Sequence, residues 1–434
     1  MPKARATTLG SCVPNFEPAV YCPAATSEVG TLADLQTIQQ DFAPADLPTT
    51  APSRSMPPRR TRTSAVGVAV AATIAALALT GCGSSHHKTT TTNSSRSTSG
   101  GYTTEVFASG AAIQHATSKG KASVFQPDDL TKLGSNIFVG FQNGVGPMGE
   151  TMSGVSDSTI VEFSSSGKPV KQWDLAGHVD GIAALSAKGE VVVTTNEDGN
   201  AHLFTIDPSS SKPVDYSLPS LPHNGGLDAI SFWHGTMLIS ASAPGTTGKA
   251  APQASYPAVY DVTLNSSTHK ASVRGLFGDE ATANWANSSK TGTTKLALTD
   301  PDSNEVVPSY AQRFGGQSML TSQGDGLQIF VQDTSGKHLS VLKLSQAGSD
   351  DTAWPSGSSG TLYITDNSTD LIWKVTGPFK RGAELVAASP CDANTAPMSC
   401  LASQYLGQVD MTTGTITKLS LTSQIHPKGL LWVP

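Results

Sequence analysis

The sequence predicts an all-β protein: a β-propeller of six blades, with seven also compatible, behind a leader, a short apolar segment and a flexible stalk. Three observations predict it. From about Val124, apolar and polar residues alternate in short runs separated by turn residues. No long amphipathic helical stretch interrupts those runs, whereas a parallel sheet needs about ten or more residues of crossover between strands. The runs also group into longer units. Asp128-Asp129-Leu130, Asp180-Gly181-Ile182 and Asp228-Ala229-Ile230 open successive units 52 and 48 residues apart. Asp351-Thr352-Ala353 opens a later unit, and His426-Pro427-Lys428-Gly429-Leu430 echoes the pattern. Repeats of about 40–50 residues holding about four strands are propeller blades. One blade cannot cover both of its faces, but a ring of blades can.

Residues 1–55 are rich in Ala, Pro and Thr, with no sustained period, and read as a disordered leader. Met56 is a natural start, so this stretch is either a gene-model extension or a cytoplasmic leader. Residues 56–81 follow as Arg59, Arg60 and Arg62, then Ala65 to Leu79 with only Thr73 polar, then Leu79-Thr80-Gly81-Cys82. Fifteen helical residues rise about 22 Å, which is short of the ~30 Å hydrocarbon core and matches the apolar stretch of a secretory signal. The segment resembles a bacterial lipoprotein signal. That resemblance implies cleavage between Gly81 and Cys82, a diacylglycerol on the Cys82 thiol with palmitate among the acyl chains, and an exported protein held at a membrane outside the cytoplasm. The alternative is a weak single-pass anchor with an unmodified Cys82.

Residues 82–101 follow the cysteine with Gly, Ser, Thr and His, which can bury no core. They read as a tether spanning about 25 Å. Residues 102–434 are the propeller. Within them the sequence predicts strands at 136–141, 158–163, 170–175, 189–194 and 201–207. The last unit lacks a full set of strands. A strand near Thr103-Thr104-Glu105-Val106-Phe107 is expected to close the ring with the C-terminal segment.

Residues 1–81 hold six basic and five acidic side chains, so the remainder carries 22 Lys and Arg against 29 Asp and Glu, net −7. That charge argues against nucleic acid and against a polybasic membrane patch as partners. With Cys82 assigned to lipid, the remainder keeps Cys391 and Cys400, an even pair expected to form a disulfide outside the cytoplasm. A closed loop of about ten residues would add roughly 2–3 kcal/mol.

The hairpin Tyr363-Ile364-Thr365-Asp366-Asn367-Ser368-Thr369-Asp370-Leu371-Ile372-Trp373-Lys374-Val375 resembles the repeat of NHL-type propellers. The Asp-Gly-Ile openings are similar to those of gluconolactonase-like (senescence-marker-like) propellers. The resemblance implies a divalent metal held by Glu, Asn and Asp from different blades. Where it would place Glu-Gly-Pro, this chain has Gln126-Pro127-Asp128.

Propeller ligands bind at one mouth of the central channel. Asp128, Asp180, Asp228, Asp302 and Asp351 are therefore the candidate channel or metal residues, and converging carboxylates favour a hard cation such as Ca²⁺ or another divalent metal. Asn196, Asp300, Asn304 and Asp366 are further oxygen donors. An Asp before Gly or Ala also caps turns, and that reading stands beside the first. Arg313, before Phe314-Gly315-Gly316, is a candidate anion contact, and His223 a candidate channel residue or turn residue. The Gly-rich segment Gln142 to Glu150 is expected to overhang the channel mouth. Trp233, Trp354 and Trp373 are expected to pack blades. Three functions follow: a tethered propeller binding a protein, glycan or small molecule; a divalent-metal-dependent lactonase or esterase; and an envelope assembly platform.

Overall fold

Middle strands such as Glu190–Thr195 carry unbroken apolar runs (Val191-Val192-Val193, all buried) because a neighbouring sheet covers each face. Outer strands such as Pro169–Ala176 alternate buried and exposed residues, since one face meets water. In the computed structural model the described residues are 97–152, 154–243, 256–390 and 403–434, all inside the unit His87–Pro434. Gly81, Cys82, Cys391 and Cys400 lie outside the described residues, as do the leader, the signal segment and nearly all of the tether.

The strands run in chain order as follows. β1 (Ser97–Ser99) and β2 (Tyr102–Ser109) precede a 3-10 turn, Gly110–Ala112, and a ribbon of β3 (Gln114–Thr117) and β4 (Gly120–Ser123). Blade one is β5 (Pro127–Leu133), β6 (Asn136–Phe141), β7 (Asp157–Phe163) and β8 (Pro169–Ala176). Blade two is β9 (Val179–Leu185), β10 (Glu190–Thr195), β11 (His202–Ile206) and β12 (Val214–Asp215). Blade three is β13 (Ile230–Trp233), β14 (Thr236–Ser240), β15 (Pro257–Asn265) and β16 (Lys270–Gly278). Blade four takes β17 (Thr282–Trp285) and β18 (Thr293–Lys295) at its outer edge, then β19 (Pro301–Val306), β20 (Ser318–Ser322), β21 (Leu327–Val331) and β22 (Leu339–Lys343). β17 pairs parallel to β22; the other strand pairs within the blades are antiparallel.

The last two blades interleave. After β23 (Ser349–Ala353) the chain leaves for β24 (Thr361–Asp366) and β25 (Leu371–Thr376). It then returns as β26 (Glu384–Ala388), β27 (Tyr405–Asp410) and β28 (Thr415–Lys418), and leaves again as β29 (Pro427–Val433). Blade five is β23-β26-β27-β28; blade six is β29-β24-β25-β2-β1. The N-terminal strand expected to close the ring lies in β2, on the opposite side of blade six from β29. This sharing explains the missing strands of the last unit: its sheet is assembled from three separate parts of the chain.

The six inner strands touch in a closed circle, β5 to β9, β13, β19, β23, β29 and back to β5. No α-helix occurs among the described residues. The core is six apolar wedges, one at each blade–blade contact. Phe138, Ile160 and Trp173 of blade one, for example, meet Val191, Val193 and Phe204 of blade two. Trp233, Trp354 and Trp373 are all buried in such wedges. Burying each large apolar side chain contributes about 1.5–3 kcal/mol.

Candidate functional site: an acidic throat with one lysine

Five inner strands place their second residue at an equivalent position, and in blade three Asp228, just ahead of β13, takes it. Around the ring these are Asp128, Asp180, Asp228, Asp302, Asp350 and Lys428, and all six line one throat on the axis. The throat holds ≈ 30 Å³, room for a single ion or water. It opens into a vestibule of ≈ 280 Å³ lined on the ring side by His178, Glu197, Asp302, Asp350 and Lys428, with Gln142 from the Gly-rich segment on its wall.

The residue after each ring position faces the neighbouring blade. In blades two and six it is Gly181 and Gly429, where a Cβ would stand 2.3 Å from the Asp228 carbonyl oxygen and 2.4 Å from that of Asp128. A threonine from the second strand latches each contact. Thr194 Oγ1 accepts from the Gly181 amide at 3.0 Å and donates to the Asp228 carbonyl at 2.7 Å. Thr365 Oγ1 accepts from the Gly429 amide at 2.7 Å and donates to the Asp128 carbonyl. In blades one and five the next residue is a second aspartate. Asp129 Oδ2 accepts from the Ile182 amide at 2.9 Å, and Asp351 Oδ2 accepts from the Leu430 amide at 2.6 Å.

Of the sequence-predicted set, Asp128, Asp180, Asp228 and Asp302 meet at the ring. Asp351 lines the throat too, but the ring position of blade five belongs to Asp350, and Asp351 ties blade five to blade six. Arg313 lines neither the throat nor the vestibule. Its Nη1 donates to the Ala286 and Met411 carbonyls at 3.0 and 2.5 Å, and its guanidinium lies 4.6 Å from the Phe314 ring centre. His223 is fully buried, bonded to Tyr260 and to the Gly226 carbonyl, and serves the fold. Asn196, Asp300, Asn304 and Asp366 hold turns and blade contacts.

Sequence reasoning missed Asp350, Lys428, His178 and Glu197. Lys428 Nζ stands 2.8 Å from Asp350 Oδ1 and 3.5 Å from Asp128 Oδ1. Burial alone would lower its ammonium pKa, but the carboxylates of Asp128, Asp350, Asp302 and Glu197 hold it well above the ordinary lysine value. Burial pushes the Asp128 carboxyl up to about 7 against the pull of Lys428, and Asp180 and Asp350 add to the rise. Burial first, then neighbouring carboxylates, also raises Asp228 and Asp302 well above the usual range. Their mutual contact adds to the rise of Asp302 and works against that of Asp228. The throat thus offers more carboxyl groups than its single lysine can balance. Two buried oxygens, Asp128 Oδ1 and Asp180 Oδ2, have no hydrogen-bond partner.

No protein-family model matches the sequence, and no curated protein matches it. Solved structures do. A protein of unknown function from Bacteroides thetaiotaomicron is 9% identical, with 75% of this chain and 65% of that one covered, TM-score 0.38. The periplasmic gluconolactonase of Pseudomonas aeruginosa is 13% identical, with 72% and 90% covered, TM-score 0.41. An inactive virginiamycin B lyase from Staphylococcus aureus, solved with quinupristin, is 13% identical, with 65% and 79% covered, TM-score 0.32.

Proposed function

We propose that this protein is an exported, lipid-tethered propeller that binds a cationic ligand at its axial throat. One observation carries the reading: five aspartates from five blades converge on a space facing one lysine, with the buried Asp180 Oδ2 left unpartnered. Converging like charges destabilise a fold unless a proton or a cation offsets them. A bound cation would therefore be held by charge, and its release would leave the throat protonated. The tether and Cys82 supply the location in this reading, with the propeller standing clear of the lipid surface.

The test is a thermal shift on the full-length protein with Ca²⁺, Zn²⁺ and the diamine putrescine as separate probes. At least one cation is expected to raise Tm, and Asp228→Asn is expected to reduce that rise. If no probe shifts Tm at millimolar concentration, the binding reading fails. Palmitate-analogue labelling that is lost in Cys82→Ser checks the tether; equal labelling of both proteins would remove it.

A second reading, a metal-dependent hydrolase of the gluconolactonase type, is favoured by the imidazole of His178 standing beside two carboxylates at the vestibule. Metal-dependent release of acid from gluconolactone would establish it, and no turnover with any divalent ion would end it.

A further inference from the structure

Blade two builds a mixed nitrogen–oxygen pocket beside the throat. His178 and Asp180 sit two residues apart and so face the same side of the strand entering the channel. Glu197 reaches them from the turn after β10, where Asn196 adopts a left-handed backbone with φ 69°. Asn196 also fixes the histidine. Its Oδ1 accepts from the His178 amide at 2.8 Å, and its own amide donates to the His178 carbonyl at 2.7 Å.

The ring of His178 has a defined orientation. Its Nδ1 lies 2.5 Å from the Val145 carbonyl oxygen, in the Gly-rich segment, and a carbonyl can only accept. Nδ1 therefore carries a proton, and Nε2 points at the carboxylates: 3.3 Å from Asp180 Oδ1 and 4.0 Å from Glu197 Oε1. A backbone carbonyl fixing the far nitrogen is the usual support of a metal-bound histidine.

We propose that His178 Nε2, Asp180 and Glu197 form a binding site for one divalent transition metal ion of the Zn²⁺ or Mn²⁺ class. The three side chains each place one ligand atom within 4.8 Å of the others. Ligands about 2.0–2.1 Å from a tetrahedral ion stand about 3.3 Å apart. The imidazole–Asp180 distance already matches, and Glu197 Oε1, 4.0 Å from Nε2 at the vestibule, would have to draw closer on binding. An independent observation points the same way: Asp180 is only 4% exposed, lines the throat, and its Oδ2 has no partner. Ca²⁺ takes six to eight oxygens, and an imidazole ligand selects against it. All three ligands come from one blade, unlike the three-blade set implied by the lactonase resemblance. Open coordination positions would face the vestibule.

The inference deepens the cation-binding reading and rests on it. The experiment is calorimetric titration of metal-free full-length protein with Zn²⁺, then with Ca²⁺ and putrescine in separate runs. One Zn²⁺ per chain is expected, with Ca²⁺ failing to displace it. His178→Ala is expected to weaken Zn²⁺ by more than about 100-fold, beyond the upper end of what losing an outer-shell partner costs. Asp302→Asn, two blades on from Asp180 and outside the three-ligand set, is expected to change it less than tenfold. X-ray absorption at the zinc edge of the unmutated protein is expected to show one imidazole, which keeps the test independent of variant folding. Zinc binding unchanged in a folded His178→Ala protein, or an absorption spectrum with no imidazole, overturns the site. Putrescine binding without zinc binding also overturns it, while leaving the broader cation reading in place; failure of all three probes ends both.

Discussion

In blade two the chain enters the channel as His178-Val179-Asp180-Gly181, and in blade six as His426-Pro427-Lys428-Gly429. The surroundings match. Each glycine lies under the next blade's inner strand, each has a threonine latch, and each following amide donates to an aspartate of the preceding blade. Yet blade two presents a carboxylate and blade six an ammonium. Blade six balances its neighbours from within the chain, through the contacts of Lys428 to Asp350 and Asp128. Blade two leaves the Asp180 oxygen unmatched. The same backbone slot can thus be filled by a built-in cation or left for an external one. The histidines differ in the same sense. His426 Nδ1 is engaged by Ser368 at 2.7 Å, and its Nε2 lies 3.1 Å from Gln424, whereas His178 turns Nε2 toward the throat acids.

The strongest way to break this comparison is Lys428→Asp, which makes all six slots alike. Removing one partner of a buried ion pair costs about 3–5 kcal/mol, and a sixth carboxylate adds repulsion. Denaturant unfolding is expected to show at least that loss, partly restored by added divalent cation. Unchanged stability would mean that Lys428 is not the throat's counter-ion.

Glu384 sharpens the comparison from outside the channel, because it is fully buried with Gln328 beside it and no cation in contact among the described residues. Burial raises its carboxyl to about 8. The folded state then holds a proton that the unfolded chain releases near the ordinary glutamate value of about 4.3. Stability linked to this proton is full below that value and is lost as pH rises toward 8, at up to about 1.4 kcal/mol per pH unit. Glu384→Gln is expected to flatten the decline between pH 5 and 8 in urea unfolding; an unaltered slope would assign the decline elsewhere.

The latches test whether the two blades are equivalent in structure. Thr194→Val and Thr365→Val each leave a buried amide and a carbonyl unpaired, and each is expected to cost about 1–3 kcal/mol by thermal unfolding. A large difference between the two would show that the shared geometry is not shared energy. The smallest effect is expected for Asp351→Asn, about 1 kcal/mol, because the amide oxygen still accepts from Leu430 and only the bond from the Thr352 amide is lost. Its amine binding should match the parent protein, whereas Asp350→Asn, which alters the ring itself, should weaken it.

The fold was legible because blade strands carry turn chemistry and apolar runs of fixed length, and because Asp128, Asp180 and Asp228 recur at blade spacing. The site was legible only in part. Asp350-Asp351 is a doublet, and adjacent strand residues face opposite ways, so nothing local says which one meets the axis. Lys428 was missed because a search for converging acids passes over a base. The signal was present in the match between His426-Pro427-Lys428-Gly429-Leu430 and His178-Val179-Asp180-Gly181-Ile182. Glu197 lies in a polar turn, Asn196-Glu197-Asp198-Gly199-Asn200, whose composition announces a reversal and not a direction. The weaving of the last two blades depends on pairings such as Thr104 with Val375, which no short-range pattern records.

That weaving has a consequence for how the molecule is made. Neither of the final two sheets can finish alone, since each waits for segments that emerge after its neighbour has begun. Pairings spanning most of the propeller are slow to find. The nascent wheel should therefore stay open through most of synthesis and snap shut only when β29 docks. Because β29 also delivers Lys428, ring closure and charge balance arrive in one step, and a prematurely terminated chain would display a gap lined with acids instead of a finished throat.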